Sequence, residues 1–226
     1  MSAAVSGAAG PLAVLGGTFD PVHVGHLRLA EEAREALGLA EVRWVPAGVP
    51  PHRQAPRADA AHRLEMVRLA IAGNPHFVLD AAEARAGGPA YTAPTLERLR
   101  AAEGGRPLVL LLGADAFLGL ESWHRWRELF DLAHLGVATR PGYDLSPDDL
   151  PAGLAQACAS RLGGDPAVLR AAPAGRVVSF SMTPLGVSAS LLRARLAAGL
   201  SARYLLTDPV AEYIERHRLY RNQNER

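Results

Sequence analysis

Apolar residues along this chain come in short continuous runs, separated by stretches in which they recur every three or four positions. Residues 12–15 (Leu-Ala-Val-Leu) read as a buried strand. The spacing of Val24, Leu27, Ala30, Ala33 and Leu37 predicts an amphipathic helix over 24–37. The same alternation continues. A strand is predicted at 41–45, a proline- and glycine-punctuated loop at 46–59, and a helix at 60–72 with Leu64, Val67, Leu69 and Ile71 as its apolar positions. A short strand at 76–79 precedes a helix at 93–103. A continuous apolar strand at 107–112 is closed by Gly113-Ala114-Asp115, and a strand at 134–139 by Arg140-Pro141-Gly142. From 143 to 175 the rhythm is lost, and prolines, glycines and a weak alanine-rich helix predict a surface excursion with little functional weight. A last strand at 176–180 leads to Ser188, an N-cap ahead of an apolar helical run. Short helices are predicted at 202–206 and 209–217, the second opened by Asp208-Pro209. Strands alternating with helices predict an α/β fold built on an open parallel sheet with helices on both faces. Residues 11–226 form a single domain, its part from about 188 to 226 a small C-terminal helical subdomain, and residues 1–10 read as a disordered leader.

Composition narrows the functional classes. At 226 residues the chain can bury a full core, and 49% hydrophobic residues without a bilayer-length apolar run predict a soluble protein with no membrane segment. The leader lacks the basic start and apolar centre of a signal peptide, and one cysteine cannot form an internal disulfide; both agree with a cytoplasmic location. A net charge of +1 gives no broad electrostatic footprint for nucleic acid, so a small-molecule substrate is expected. All 24 Lys and Arg positions are arginine. Chemistries that need a lysine, such as the P-loop NTPases and Schiff-base enzymes, are thereby excluded. The oligomeric state is left open, with room for a homo-oligomer.

The most informative stretch is Gly16-Gly17-Thr18-Phe19-Asp20-Pro21-Val22-His23-Val24-Gly25-His26, because it joins the first strand to the first helix. Glycines let the backbone turn tightly and approach a ligand, while the helix start offers unpaired N–H groups and a positive dipole end to a polyphosphate. His23 and His26, three residues apart, fall on one face of the first turn beside that anion. Zinc is a weaker reading, since a third ligand is wanting and Cys158 is distant. A second strand-to-helix junction supplies Ser188, Ser190 and Arg193, whose hydroxyls and guanidinium can bind phosphate oxygens. In an open parallel sheet the two junctions can face each other across the crevice at the carboxyl ends of the strands. If the attacking group is itself a phosphate, it is ionised at neutral pH and needs no general base, so catalysis becomes positioning and charge stabilisation.

The glycine-rich segment with its two histidines resembles the signature of the nucleotidylyltransferase superfamily. Further motifs follow in the order seen in bacterial nicotinate-nucleotide adenylyltransferases: Pro50-Pro51-His52-Arg53, Ala90-Tyr91-Thr92-Ala93-Pro94-Thr95-Leu96, Gly113-Ala114-Asp115, Trp123, Arg140-Pro141-Gly142-Tyr143 and Val187-Ser188-Ala189-Ser190-Leu191-Leu192-Arg193. The resemblance spans about residues 12–221. It implies a Rossmann-like fold and transfer of AMP from ATP to nicotinate mononucleotide, with Mg²⁺ accompanying ATP, in NAD biosynthesis. It implies that Gly16, Gly17, Thr18, Phe19, Gly25, Gly113, Asp115, Ser188 and Ser190 bind ATP, together with the catalytic His23, His26 and Arg193. His52, Arg53, Tyr91, Thr92, Trp123 and Arg140 would bind the mononucleotide, although Trp126 could replace Trp123 in the pyridine pocket. Val187 and Ser190 stand where the family commonly has isoleucine and threonine, and both keep the apolar or hydroxyl character. Alternatives within the superfamily are phosphopantetheine, glycerol-phosphate and nicotinamide mononucleotide nucleotidylyltransferases. A non-catalytic nucleotide sensor is a different class, and it would not need both histidines. A class I tRNA synthetase fragment fails on length and on the missing lysine of that class's second signature.

Overall fold

The structure is a computed structural model that describes residues 10–49, 55–143 and 145–221. Seven strands form one sheet: β1 (Leu12–Gly17), β2 (Glu41–Pro46), β3 (Phe77–Leu79), β4 (Leu108–Gly113), β5 (His134–Thr139), β6 (Leu162–Gly163) and β7 (Val177–Ser181). Every pairing is parallel, and the order is β3-β2-β1-β4-β5-β7-β6. Chain direction across the sheet reverses at β1 and β4, so a crevice opens at their carboxyl ends.

The helices are α1 (Val24–Leu37), α2 (Ala60–Ile71), α3 (Ala82–Ala86), α4 (Thr92–Glu103), α5 (Ala114–Leu118), α6 (Leu129–Leu132), α7 (Ala152–Cys158), α8 (Ala189–Ala197) and α9 (Asp208–Arg216). Alternate residues of each central strand serve opposite faces. Ala13, Leu15, Val109 and Leu111 pack with α1, α2, α8 and α9, whereas Leu12, Val14, Leu108 and Leu110 pack with α4 to α7. Burial on both sides is why these strands are unbroken apolar runs. No helix among the described residues is long and apolar enough to cross a membrane. Gly10, assigned to the leader, has its carbonyl held by Arg106 Nε at 3.0 Å.

Two expectations need correction, and one helix face gains a member. Residues 202–206 are not helical: Tyr204 sits at φ +65°, and the carbonyl of Leu205 accepts from Val24 N at 3.1 Å. A tertiary hydrogen bond to the start of α1 has overridden local helix propensity. The 143–175 excursion is structural, because β6 adds a strand beside β7 and Leu150, Leu154, Cys158 and Leu169 are buried. Its alanine-rich helix α7 shows little polar contrast, which is why the pattern is faint. The buried face of α2 carries Arg63, Met66, Val67 and Ile71, while Leu64 and Leu69 are only partly covered.

Candidate active site

β1 ends at Gly16 and Gly17, and the chain turns through Thr18 and Phe19 before entering α1. A Cβ on Gly16 would meet no protein atom within 4 Å, so the space before it belongs to the crevice. Gly25 is the opposite case. There a Cβ would lie 2.9 Å from Val187 Cγ1 and 3.0 Å from His23 Nδ1, so glycine is what lets the approach to α8 close on the first turn of α1. Phe19 holds φ +50°, a left-handed conformation costly for a bulky residue. Packing sustains it: the ring is buried, 5.5 Å from Trp44 and edge-on to His26 at 5.1 Å.

His23 is the extended N-cap of α1, and its backbone N–H donates to His26 Nδ1 at 3.2 Å. The two rings stack with centroids 3.8 Å apart. With Nδ1 accepting, neutral His26 carries its proton on Nε2. His23 is 7% exposed, and burial pushes its imidazole down to about 4. In the free protein it is therefore a neutral hydrogen-bonding group at pH 7 rather than a cation. This has a consequence for acid stability. The folded value lies below the unfolded 6.5, so the unfolded chain takes up the extra proton between those limits; stability is full above pH 6.5 and falls as pH drops toward 4. Between pH 7 and pH 5 the loss is about 2 kcal/mol. In melting-temperature profiles, His23→Asn should flatten the acid limb by that amount. A limb unchanged by the substitution would assign the titration elsewhere.

Asp20 links the two junctions. Its carboxylate is buried and accepts from Arg57 N (2.8 Å), Ala58 N (3.1 Å) and the Tyr220 hydroxyl (2.7 Å). Its backbone carbonyl accepts from Arg193 Nη1 at 2.7 Å, which holds the first turns of α8 beside the start of α1. Ser188 caps α8 by accepting from Leu191 N at 3.2 Å and shares a 3.0 Å hydroxyl contact with Ser190; both serines are exposed.

Arg63 is the residue supporting this turn that pattern reading missed. It is 1% exposed and donates to the carbonyls of Thr18 (2.8 Å), Ala47 (2.6 Å), Gly48 (2.6 Å) and Ala58 (3.2 Å). One guanidinium thus joins the turn after β1 to the segment after β2. A charged residue at a buried helix position was its only sequence signal.

A cleft of about 210 Å³ runs from this turn across the sheet end. Gly16, Gly17 and Thr18 line one part, and Tyr91, Thr92, Trp123 and His124 line the other. Tyr91 is the N-cap of α4, and its ring lies 4.7 Å from His124. Trp126 is buried in the core, 6.3 Å from Phe130, so Trp123 is the tryptophan at the cleft. Glu83 and Thr95 also line it. Glu83 accepts from the Thr95 hydroxyl, and burial pushes its carboxyl above the usual range. Thr95 could have been found from its position one turn after Tyr91 and Thr92; Glu83 and His124 left no comparable signal.

Other candidates lie at the crevice edge rather than in the cleft wall. Gly113 ends β4 and Asp115 is exposed in the first turn of α5, which begins where the strand was expected simply to close. Arg140 is exposed beyond β5 and does not line the cleft. His52 and Arg53 lie outside the described residues.

A family model described as cytidylyltransferase-like matches residues 14–195. A probable nicotinate-nucleotide adenylyltransferase of Dechloromonas aromatica (strain RCB) is 56% identical over 213 residues, 94% of this chain and 98% of that protein. The chain belongs to the nicotinate-nucleotide adenylyltransferase family. Another family member, from Aeromonas hydrophila subsp. hydrophila, is 49% identical over 211 residues, 93% of this chain and 97% of that one. Among solved structures, the Plasmodium falciparum nicotinic acid mononucleotide adenylyltransferase complexed with NaAD aligns with a TM-score of 0.69 and 16% identity, covering 93% of this chain and 97% of the other. That likeness carries the fold, and the family's Rossmann-like sheet is the one observed here. The motif-based resemblance to this family is correct, over a stretch of chain close to the one it claimed.

Proposed function

We propose that this protein transfers the AMP moiety of Mg–ATP to nicotinate mononucleotide, releasing pyrophosphate and forming nicotinate adenine dinucleotide in NAD biosynthesis. One observation carries the reading: a single cleft has the glycine turn at one part and an aromatic pocket of Tyr91, Trp123 and His124 at the other. A phosphate-bearing mononucleotide with a flat ring matches that combination. Trp123 offers a face for stacking, and Tyr91 and Thr92 flank it.

A phosphate oxygen of the mononucleotide attacks the α-phosphorus of ATP. A new P–O–P bond forms as the α–β bridge breaks, and pyrophosphate leaves with the electron pair. The attacking oxygen is already ionised, so the protein positions both partners and stabilises charge. Gly16, Gly17, Thr18 and Phe19 bring backbone to the phosphates, and Gly25 keeps the second junction close. His26, through Nε2–H, and His23 donate to the transferred phosphate and leaving group. Arg193, Ser188 and Ser190 take the β- and γ-phosphates, Gly113 and Asp115 the ribose side, and Arg140, His52 and Arg53 the mononucleotide phosphate. Among the described residues no group of three His, Cys, Asp or Glu is placed to hold a metal. Magnesium enters as part of the Mg–ATP substrate, carried on phosphate oxygens. The reaction is assigned to the cytoplasm, the compartment that the cysteine usage suits.

The purified full chain should release pyrophosphate from Mg–ATP with nicotinate mononucleotide faster than with nicotinamide mononucleotide, and not with phosphopantetheine. No turnover with the first acceptor would sink the proposal.

A further inference from the structure

The C-terminal turn returns to the catalytic loop. After α9 the chain passes through Arg218 at φ +52° and Tyr220 at φ +63°, and Leu219 and Tyr220 pack onto the core cluster beneath α1 and α2. This brings the Tyr220 hydroxyl to Asp20 Oδ1 at 2.7 Å, across 200 residues of sequence. The contact bears on Arg193. Its Nη1 rests on the Asp20 carbonyl at 2.7 Å, while Oδ2 of the Asp20 carboxylate lies only 3.8 Å away as a competing acceptor. Arg57 N, Ala58 N and the Tyr220 hydroxyl occupy that carboxylate.

We infer that Tyr220 is a positioning residue: by holding Asp20 Oδ1 it fixes the orientation of the carboxylate and keeps Oδ2 from closing on Arg193, so that the remaining guanidinium donors stay turned to the ATP phosphates. This rests on the reading of Arg193 as a phosphate ligand. Without the hydroxyl, Oδ1 retains one backbone donor, the carboxylate is held less firmly, and its Oδ2 already stands 3.8 Å from Arg193 Nη1. A closer ion pair would form at the expense of ATP contacts.

The test is a double-mutant cycle with Tyr220→Phe and Arg193→Ala in the full chain, using whichever mononucleotide the wild-type protein turns over. Tyr220→Phe should raise the KM for ATP about fivefold, the size of one lost hydrogen bond, and leave the KM for the mononucleotide within about twofold. In the Arg193→Ala background the same substitution should cost nothing further. Tyr220→Met, which fills the buried space without a hydroxyl, must give the same pattern. Additive losses, or equal rises in both KM values, would overturn the inference while leaving the proposed reaction standing. An Arg193→Ala enzyme with unchanged kinetics would overturn it together with the assignment of Arg193. A wild-type chain that uses another mononucleotide would overturn the nicotinate reading alone, since ATP is common to every acceptor.

Discussion

Replacing His26 by alanine should lower the rate of adenylyl transfer about 10²-fold or more, close to 3 kcal/mol of transition-state stabilisation. The expectation rests on how firmly this imidazole is held. His23 N–H fixes Nδ1, the His23 ring stacks at 3.8 Å, and the buried Phe19 ring meets it edge-on at 5.1 Å. A donor braced on three sides pays little reorganisation as charge develops on the phosphate, which is what makes a preorganised hydrogen bond effective. Alanine removes the donor and one capping contact. The capping loss is worth about 1 kcal/mol, so the melting temperature should fall by only a few degrees. Single-turnover pyrophosphate release at saturating substrates separates the chemical step from binding. A folded His26→Ala protein with an unchanged rate would reduce His26 to a helix cap.

Arg63→Met should be the most destabilising single change among the residues around the cleft. It leaves the carbonyls of Thr18, Ala47, Gly48 and Ala58 without their shared donor in a site that is 1% exposed. A buried acceptor stripped of its partner costs about 1–3 kcal/mol, and partial relaxation of four brings the total to about 3 kcal/mol or more. For a chain of this size that is a fall of about 6–12 °C in melting temperature. Arg63→Lys should recover little, because a compact ammonium cannot span four acceptors that a planar fork reaches together. Urea or thermal melting decides it, and a loss below about 1 kcal/mol would mean that water replaces the guanidinium.

Sequence patterning captured the parts whose cause is local. β1, β4 and β5 were visible as apolar runs because each is buried on both faces, and the Ser188 cap was visible because a hydroxyl before a helical run has one common use. The cleft was half visible. Tyr91, Thr92 and Trp123 came from motif order, whereas Glu83 and His124 are ordinary polar residues whose place in the wall depends on how α3 and the segment after α5 pack. Periodicity marked Val67 and Ile71 on α2, which are buried, but not Arg63, whose burial depends on four backbone carbonyls from other segments. At 202–206 the same lesson recurs, since Leu205 serves α1 instead of a helix of its own.

By itself the sequence determined an α/β chain with two strand-to-helix junctions and, through the order of its motifs, the family to which it belongs. Only the tertiary structure decided which groups hold those junctions in place: Asp20 between Arg193 and Tyr220, Arg63 beneath the glycine turn, and His23 kept neutral by burial. Strand and helix identity follow from neighbours a few residues away, which any sequence displays. Desolvation and the sharing of one carboxylate or one guanidinium among distant segments depend on which surfaces meet, and that is settled only when the chain has folded.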